Sequence, residues 1–88
     1  TLRGAGIAAE FQALVEGLPC VVDYELAGGV MTITHTGVPA ALEGRGIAAE
    51  LTRAVLAHAT KASLKIRPLC SYARVYMQRH PETAALLA

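Results

Sequence analysis

Tryptophan is absent from the 88-residue chain, phenylalanine occurs once and tyrosine three times, leaving an aromatic content of 5%. Proteins that bind single-stranded nucleic acid by base stacking need exposed aromatic faces, and Phe11 and Tyr24 fall in strand-like patterns that bury them. Cysteine is scarce as well. Cys20 and Cys70 are far below the density of a disulfide-stapled secreted scaffold, so both are read as thiols. No basic-plus-apolar leader opens the sequence, and a reduced, cytoplasmic location is the expectation. Long apolar runs are missing too: the longest charge-free stretch, Leu26 to Leu42, is broken by Gly28, Gly29, His35, Gly37 and Pro39, which excludes a membrane-spanning helix. His35, His58 and His80 lack zinc-ligand spacing with each other or with the cysteines, so no metal is expected.

What is present is a single core. Hydrophobic residues make up 53% of the chain and charged ones 17%, too apolar for disorder and too short for two domains. A domain of this size hides roughly 60–65% of its unfolded surface, so a ligand or a second subunit would add stability. Either a monomer or a homodimer is compatible with that. Net charge is +1, but it is unevenly spread. Residues 1–43 carry Arg3 against Glu10, Glu16, Asp23, Glu25 and Glu43, a balance of −4, whereas residues 44–88 carry seven Lys and Arg against Glu50 and Glu82, a balance of +5. From Lys61 to Pro81 no acid interrupts Lys61, Lys65, Arg67, Arg74 and Arg79, which suits a phosphate-bearing ligand or, as the plainer reading, a solvated face.

Leu2 to Glu10 matches Leu42 to Glu50 at seven of nine positions. The segments that follow the two copies differ in pattern, so this is no repeat unit, and residues 1–9 are read as a leader or short N-terminal turn before a single domain over residues 10–88. Alternation at Phe11, Ala13 and Val15 predicts a strand ending at Glu16-Gly17-Leu18-Pro19. Val22, Tyr24 and Leu26 predict a second, and Gly28-Gly29 a tight hairpin turn. The third runs from Val30 to about Val38, with Met31, Ile33, His35 and Gly37 on one face and Val30, Thr32, Thr34 and Thr36 on the other. The period then becomes helical from about Gly46 to Ala62, with Ile47, Leu51 and Val55 inward. Leu64 to Pro68 predicts a short strand, and Ser71 caps a second helix whose Tyr72, Val75, Tyr76 and Arg79 share a side. Pro81 starts a last turn. The order gives an α+β fold, a mixed, mostly antiparallel sheet with helices packed on it.

Three places could carry chemistry. Glu43-Gly44-Arg45-Gly46-Ile47-Ala48 joins a strand to a helix, where backbone amides and the helix dipole can hold a pyrophosphate. Without the Lys-Ser/Thr of a triphosphate loop, nucleotide hydrolysis is not expected. Cys70 stands just before a helix, with Arg67 and Arg74 near in sequence, features that favour a thiolate, although a cysteine in such a position often serves only as a small buried hydrophobe. His35, on the face of Met31 and Ile33, reads as a core histidine bonded to backbone. Tyr72 and Tyr76 either line a cleft or pack as the apolar stripe of the last helix.

His35-Thr36-Gly37-Val38-Pro39, Gly44-Arg45-Gly46-Ile47-Ala48, and Arg67-Pro68-Leu69-Cys70-Ser71-Tyr72 through Arg79-His80-Pro81-Glu82 together resemble the very short branch of the GNAT N-acetyltransferase superfamily. That branch has a histidine on the central strand and a cysteine before the last helix. The resemblance implies a trimmed acyltransferase core with acetyl-CoA in a cleft between the Thr34–Val38 and Lys65–Pro68 strands. Thr36, Gly37 and Val38 would hold the pantetheine arm and Gly44, Arg45, Gly46, Ile47 and Ala48 the pyrophosphate, with Ser71 and Tyr76 completing the cofactor contacts. It also makes Cys70 and His35 the catalytic candidates for direct acetyl transfer to an amine acceptor that the sequence does not identify. His35 would be base or relay, and Cys70 the acid or, in a two-step route, a transient acetyl carrier.

Three residues depart from the family pattern. Glu43 stands where Arg or Gln is usual, Gly37 where Glu is common, and Ser63 where glycine follows the long helix. The first two favour an alternative, a CoA-binding module without turnover. A small nucleic-acid-binding domain using Lys61 to Arg79 is the further alternative, opposed by the missing aromatic platform.

Overall fold

The computed structural model describes residues 7–88. Strands β1 (Ile7–Val15), β2 (Leu18–Ala27) and β3 (Val30–Gly37) form an antiparallel meander, followed by a 3₁₀ turn at Ala40–Leu42 and helix α1 (Ile47–Lys61). Strand β4 (Lys65–Pro68), helix α2 (Ser71–Arg79) and a 3₁₀ segment (Pro81–Leu86) complete the chain. The sheet order is β1-β2-β3-β4, and β4 runs parallel to β3. This is the α+β architecture expected from the element order, with α1 as the crossover that a parallel pair requires.

Both hairpins turn in two residues. Glu16 and Gly17 have φ of 54° and 80°, and Gly28 and Gly29 have 57° and 80°, the left-handed pairs that match strand twist. β2 therefore starts at Leu18 and takes in Pro19, which pairs with Leu14. β1 begins at Ile7, so Ile7, Ala8 and Ala9 of the expected leader belong to the sheet. The rest of that leader, residues 1–6, lies outside the described residues.

The buried core lies against one sheet face. Cys20, Val22, Met31, Ile33 and Ile66 project from it into a cluster with Leu51, Val55, Leu56 and Ala59 of α1 and Ala73, Tyr76 and Met77 of α2. Phe11 and Tyr24 border this cluster, and Phe11 also meets the exposed His58 ring, edge-on, at 5.3 Å. Thr52, buried within α1, donates its hydroxyl to the Ala48 carbonyl at 2.8 Å. The other face, with Val21, Asp23, Glu25, Val30, Thr32, Lys65 and Arg67, contributes nothing fully buried and is called the open face below. Ala62, expected inside α1, is its exposed C-cap.

The stripe predicted for α2 is rotated. Ala73, Tyr76 and Met77 are the buried residues, whereas Tyr72 and Val75 are 37% and 41% exposed. Tyr76 stacks on His80 with ring centroids 4.0 Å apart, and the His80 Nδ1 lies 2.8 Å from the Tyr76 carbonyl. That pairing makes His80 half-buried rather than exposed. Past the last turn Leu87 bridges Ile66, and the Ala88 amide donates to the Ile66 carbonyl at 2.9 Å, covering the outer edge of β4.

Candidate functional site

The parallel ladder between β3 and β4 lasts four pairs, from Val30 with Lys65 to Ile33 with Pro68. Proline has no amide to donate and stops the ladder. The Ile33 carbonyl then receives the amides of both Leu69 and Cys70, at 3.0 and 2.9 Å, which turns the chain into α2. Beyond this point β3 continues through Thr34–Gly37 with β2 on one side and, among the described residues, no strand on the other. The expected cleft is therefore placed differently from the sequence reading. Lys65–Pro68 is zipped to Val30–Ile33, and the wedge opens only past Pro68, between the second half of β3 and the start of α2.

A bulge decides which side chains enter that wedge. Tyr24 pairs with Ile33, but its neighbour Asp23 pairs with His35, so β3 carries one extra residue, Thr34. The Thr34 hydroxyl donates to the Asp23 carbonyl at 3.2 Å, fastening the bulge. One extra residue reverses the alternation. His35 thus leaves the face of Met31 and Ile33 and stands exposed on the open face opposite Asp23, which corrects the expectation of a core histidine. Thr36, opposite the buried Val22, turns to the core side. Gly37 shares the face of His35, and a Cβ there would meet the His35 Nε2 at 3.1 Å and a Val21 methyl at 3.3 Å.

Cys70 occupies the N-cap of α2, so Ser71, expected to cap, is instead the exposed first helical residue. The Cys70 thiol donates to the Thr36 hydroxyl at 3.5 Å. Partial burial pushes its pKa up, but the Thr36 hydroxyl, together with the nearby amides of Ala73, Tyr72 and Thr36, outweighs this and holds the thiol below its ordinary value. The helix N-terminus and β3 supply that lowering, not the two arginines singled out in the sequence. The Arg74 guanidinium donates to the Leu69 carbonyl at 3.0 Å, and Arg67 is exposed, in register with Thr32 of the open face.

The glycine loop leads into α1. Gly44 and Gly46 have φ of 84° and 75°, with open space where a Cβ would stand, so backbone conformation rather than crowding calls for glycine. Gly46 is the N-cap of α1 and offers no side chain to the first amides of a 15-residue helix. Those amides, of Ile47, Ala48 and Ala49, keep their donors available for an anion. Beside them is a pocket of about 220 Å³ lined by Val38, Leu42, Glu43, Gly44, Gly46, Ile47, Ala48, Ala49 and Tyr72.

Arg45 is not among these residues. It forms an ion pair with Glu16 in the first hairpin turn. Tyr76 also stays outside, lining a neighbouring recess with Ala49, Tyr72, Val75, Arg79 and His80. Of the two tyrosines it is thus Tyr72 that reaches the pocket. The acid-free run does not form one basic patch: the Lys65 ammonium donates to the Ala85 carbonyl at 2.8 Å, Arg74 is bound to Leu69, and Arg79 sits by the recess. No group of His, Cys, Asp and Glu suited to a metal occurs among the described residues, and no described helix is long and apolar enough to cross a membrane.

Sequence reading missed the partnership of Thr36 with Cys70 and the part played by Leu42 and Ala49 in the pocket wall. The first depends on the bulge, for which the Thr-His-Thr run gives no signal.

Comparison with known proteins accords with the α+β fold. A family model described as GCN5-related N-acetyl-transferase matches residues 10–86. The chain is 37% identical over 62 residues to Protein NATD1 of Gallus gallus and of Mus musculus, covering 69% of this chain and 56% of each relative. Its identity to Protein NATD1 of Homo sapiens is also 37% over 62 residues, 55% of that relative. The chain thus spans little more than half the length of the curated relatives it matches.

Proposed function

The chain belongs to the GCN5-related N-acetyl-transferase family, and from that premise we propose that it transfers the acetyl group of acetyl-CoA directly to an amine. The observation that carries this reading is the parting of β3 from β4 at Ile33 and Pro68, next to the uncapped start of α1. The amides of Ile47, Ala48 and Ala49 would receive the pyrophosphate, and the backbone of Thr36, Gly37 and Val38 the pantetheine arm. Leu42 and Tyr72 supply apolar walls. Bound acetyl-CoA supplies an acetyl group activated as a thioester.

The two candidate catalytic side chains lie on opposite sides of β3: His35 projects from the strand to the open face, and Cys70, at the head of α2, meets Thr36 on the core side. His35, on the open face, takes the proton of an incoming amine there. Cys70, inside the wedge, gives its proton to the departing thiolate. This separation supports direct transfer, because His35 does not stand where it could deprotonate Cys70 for a two-step route. The test is CoA thiol release over a panel of amines. His35→Ala should lower kcat about 100-fold with acetyl-CoA binding retained, and the Cys70 peptide should stay unacetylated during turnover. Acetyl-Cys70 accumulating under turnover overturns direct transfer.

One observation favours a second reading, a module that binds CoA without turnover. Glu43 puts a carboxylate in the pocket wall while Arg45 is tied to Glu16, an unfavourable balance for a phosphate. Calorimetric binding of acetyl-CoA with no thiol release across the panel would select it.

A further inference from the structure

We propose that two copies of the chain join edge to edge through β1, in antiparallel register about a two-fold axis at Phe11, making one continuous sheet. β4 has its outer edge covered by Leu87 and Ala88, whereas the outer edge of β1 is paired with nothing among the described residues. The strand lacks the devices that protect an edge: it has no proline, no lysine and no bulge, and Glu10 is its only charge. Ile7 and Leu14, 66% and 71% exposed, are the most exposed large apolar residues among those described, and both lie on it.

Hydrogen-bond parity fixes how such a pairing can form. The two-residue turn makes Val15 and Leu18 a hydrogen-bonded pair, and alternate pairs Ala13 with Cys20, Phe11 with Val22 and Ala9 with Tyr24 follow. The amides and carbonyls of Ala8, Glu10, Gln12 and Leu14 consequently point outward. With the axis at Phe11, Ala8 stands opposite the partner's Leu14 and Glu10 opposite the partner's Gln12, and every one of these outward groups is satisfied in both copies. A slip by one residue breaks the parity. A slip that centres the axis on Glu10 sets two carboxylates face to face, and one that centres it on Gln12 leaves Ala8 opposite the turn residue Glu16, so only the Phe11 register pairs all four outward residues without opposing like charges.

The side chains fit the same register. Leu14 is covered by the partner's Ala8 on the open face. On the core side Ile7 meets the partner's Val15, and Phe11 meets the partner's Phe11. Next to this seam runs a mostly apolar groove lined by Ala13, Val15, Ile47, Leu51 and Ala54, with Glu50 as its one charged residue, which the two-fold would place beside its own copy.

Sedimentation velocity over a concentration series of the whole chain tests the proposal. A monomer–dimer equilibrium is expected. Gln12→Glu, which opposes like charges at both symmetry-related pairs, should weaken the dimer about tenfold, and Gln12→Lys should tighten it by a similar factor. Gln12→Pro removes an outward amide that the fold does not use, so the variant should keep its circular dichroism spectrum and be monomeric. A wild-type chain that stays monomeric at the highest attainable concentration overturns the proposal. So does a dimer on which the Glu and Lys variants act equally.

Discussion

The Thr36 hydroxyl lies 3.5 Å from the Cys70 sulfur, joining the second half of β3 to the N-cap of α2 where the two strands have just parted. This contact spans the mouth of the wedge and contributes to the lowered pKa of the thiol. The neutral thiol donates to the hydroxyl; once ionised, the thiolate accepts from it.

Alkylation of Cys70 therefore should reach half its maximal rate at a pH below that of an ordinary thiol. Thr36→Val keeps the shape and removes the hydroxyl, so the alkylation profile should move to higher pH. Because the Ala73, Tyr72 and Thr36 amides remain, the shift should be partial. An unchanged profile in the valine variant would show that the hydroxyl does not stabilise the thiolate.

Gly37 leaves room for the His35 ring. Gly37→Ala brings a methyl to 3.1 Å from Nε2, and the imidazole, at the end of a flexible exposed side chain, should swing aside. The expected result is a displaced set of His35 ring resonances with a stability loss of no more than about 1 kcal/mol, because nothing in the core moves. Resonances that stay in place would mean that the ring does not lie over residue 37.

Ser63 is held at φ of 59°, and the Leu64 amide donates to the Ala59 carbonyl at 2.8 Å, the left-handed ending of α1. Glycine adopts this conformation without strain. Ser63→Gly should raise stability by about 0.5–1 kcal/mol, a gain of a few degrees in thermal melting. A fall in melting temperature would contradict the strain assigned to the serine.

Arg45 offers a test of the pocket's composition. Its ion pair with Glu16 is exposed and turns it from the α1 amides, so Arg45→Ala should change acetyl-CoA affinity less than about twofold and stability by less than about 1 kcal/mol. Gly46→Ala, by contrast, forces a side chain into φ of 75° at the helix start and should weaken binding clearly by displacing those amides. Calorimetry on both variants separates a site built from backbone from one built on the arginine.

Much of the site was legible because its signals are local. A glycine pair before an amphipathic run marks an uncapped helix start, and Pro68 followed two residues later by Cys70 marks where a strand must end and a thiol meet a helix. The face of His35 was not legible. It is set by Thr34, whose bulge is fixed by the Asp23 carbonyl on another strand. The pairing of Arg45 was equally hidden, since Glu16 lies 29 residues away in sequence.

The sharpest division lies in the tetrapeptide Ile-Ala-Ala-Glu, which occurs at residues 7–10 and again at 47–50. In the first place it is the beginning of β1, in the second the first turn of α1. Sequence alone determined the meander, both glycine-bearing turns, the long helix and the thiol at the head of the last helix, because each follows from periodicity or from backbone angles that few residues adopt. Tertiary structure decided what identical short segments become and which face of β3 each side chain takes. Those outcomes depend on hydrogen-bond partners supplied by distant strands, β2 above all, and no local propensity encodes them.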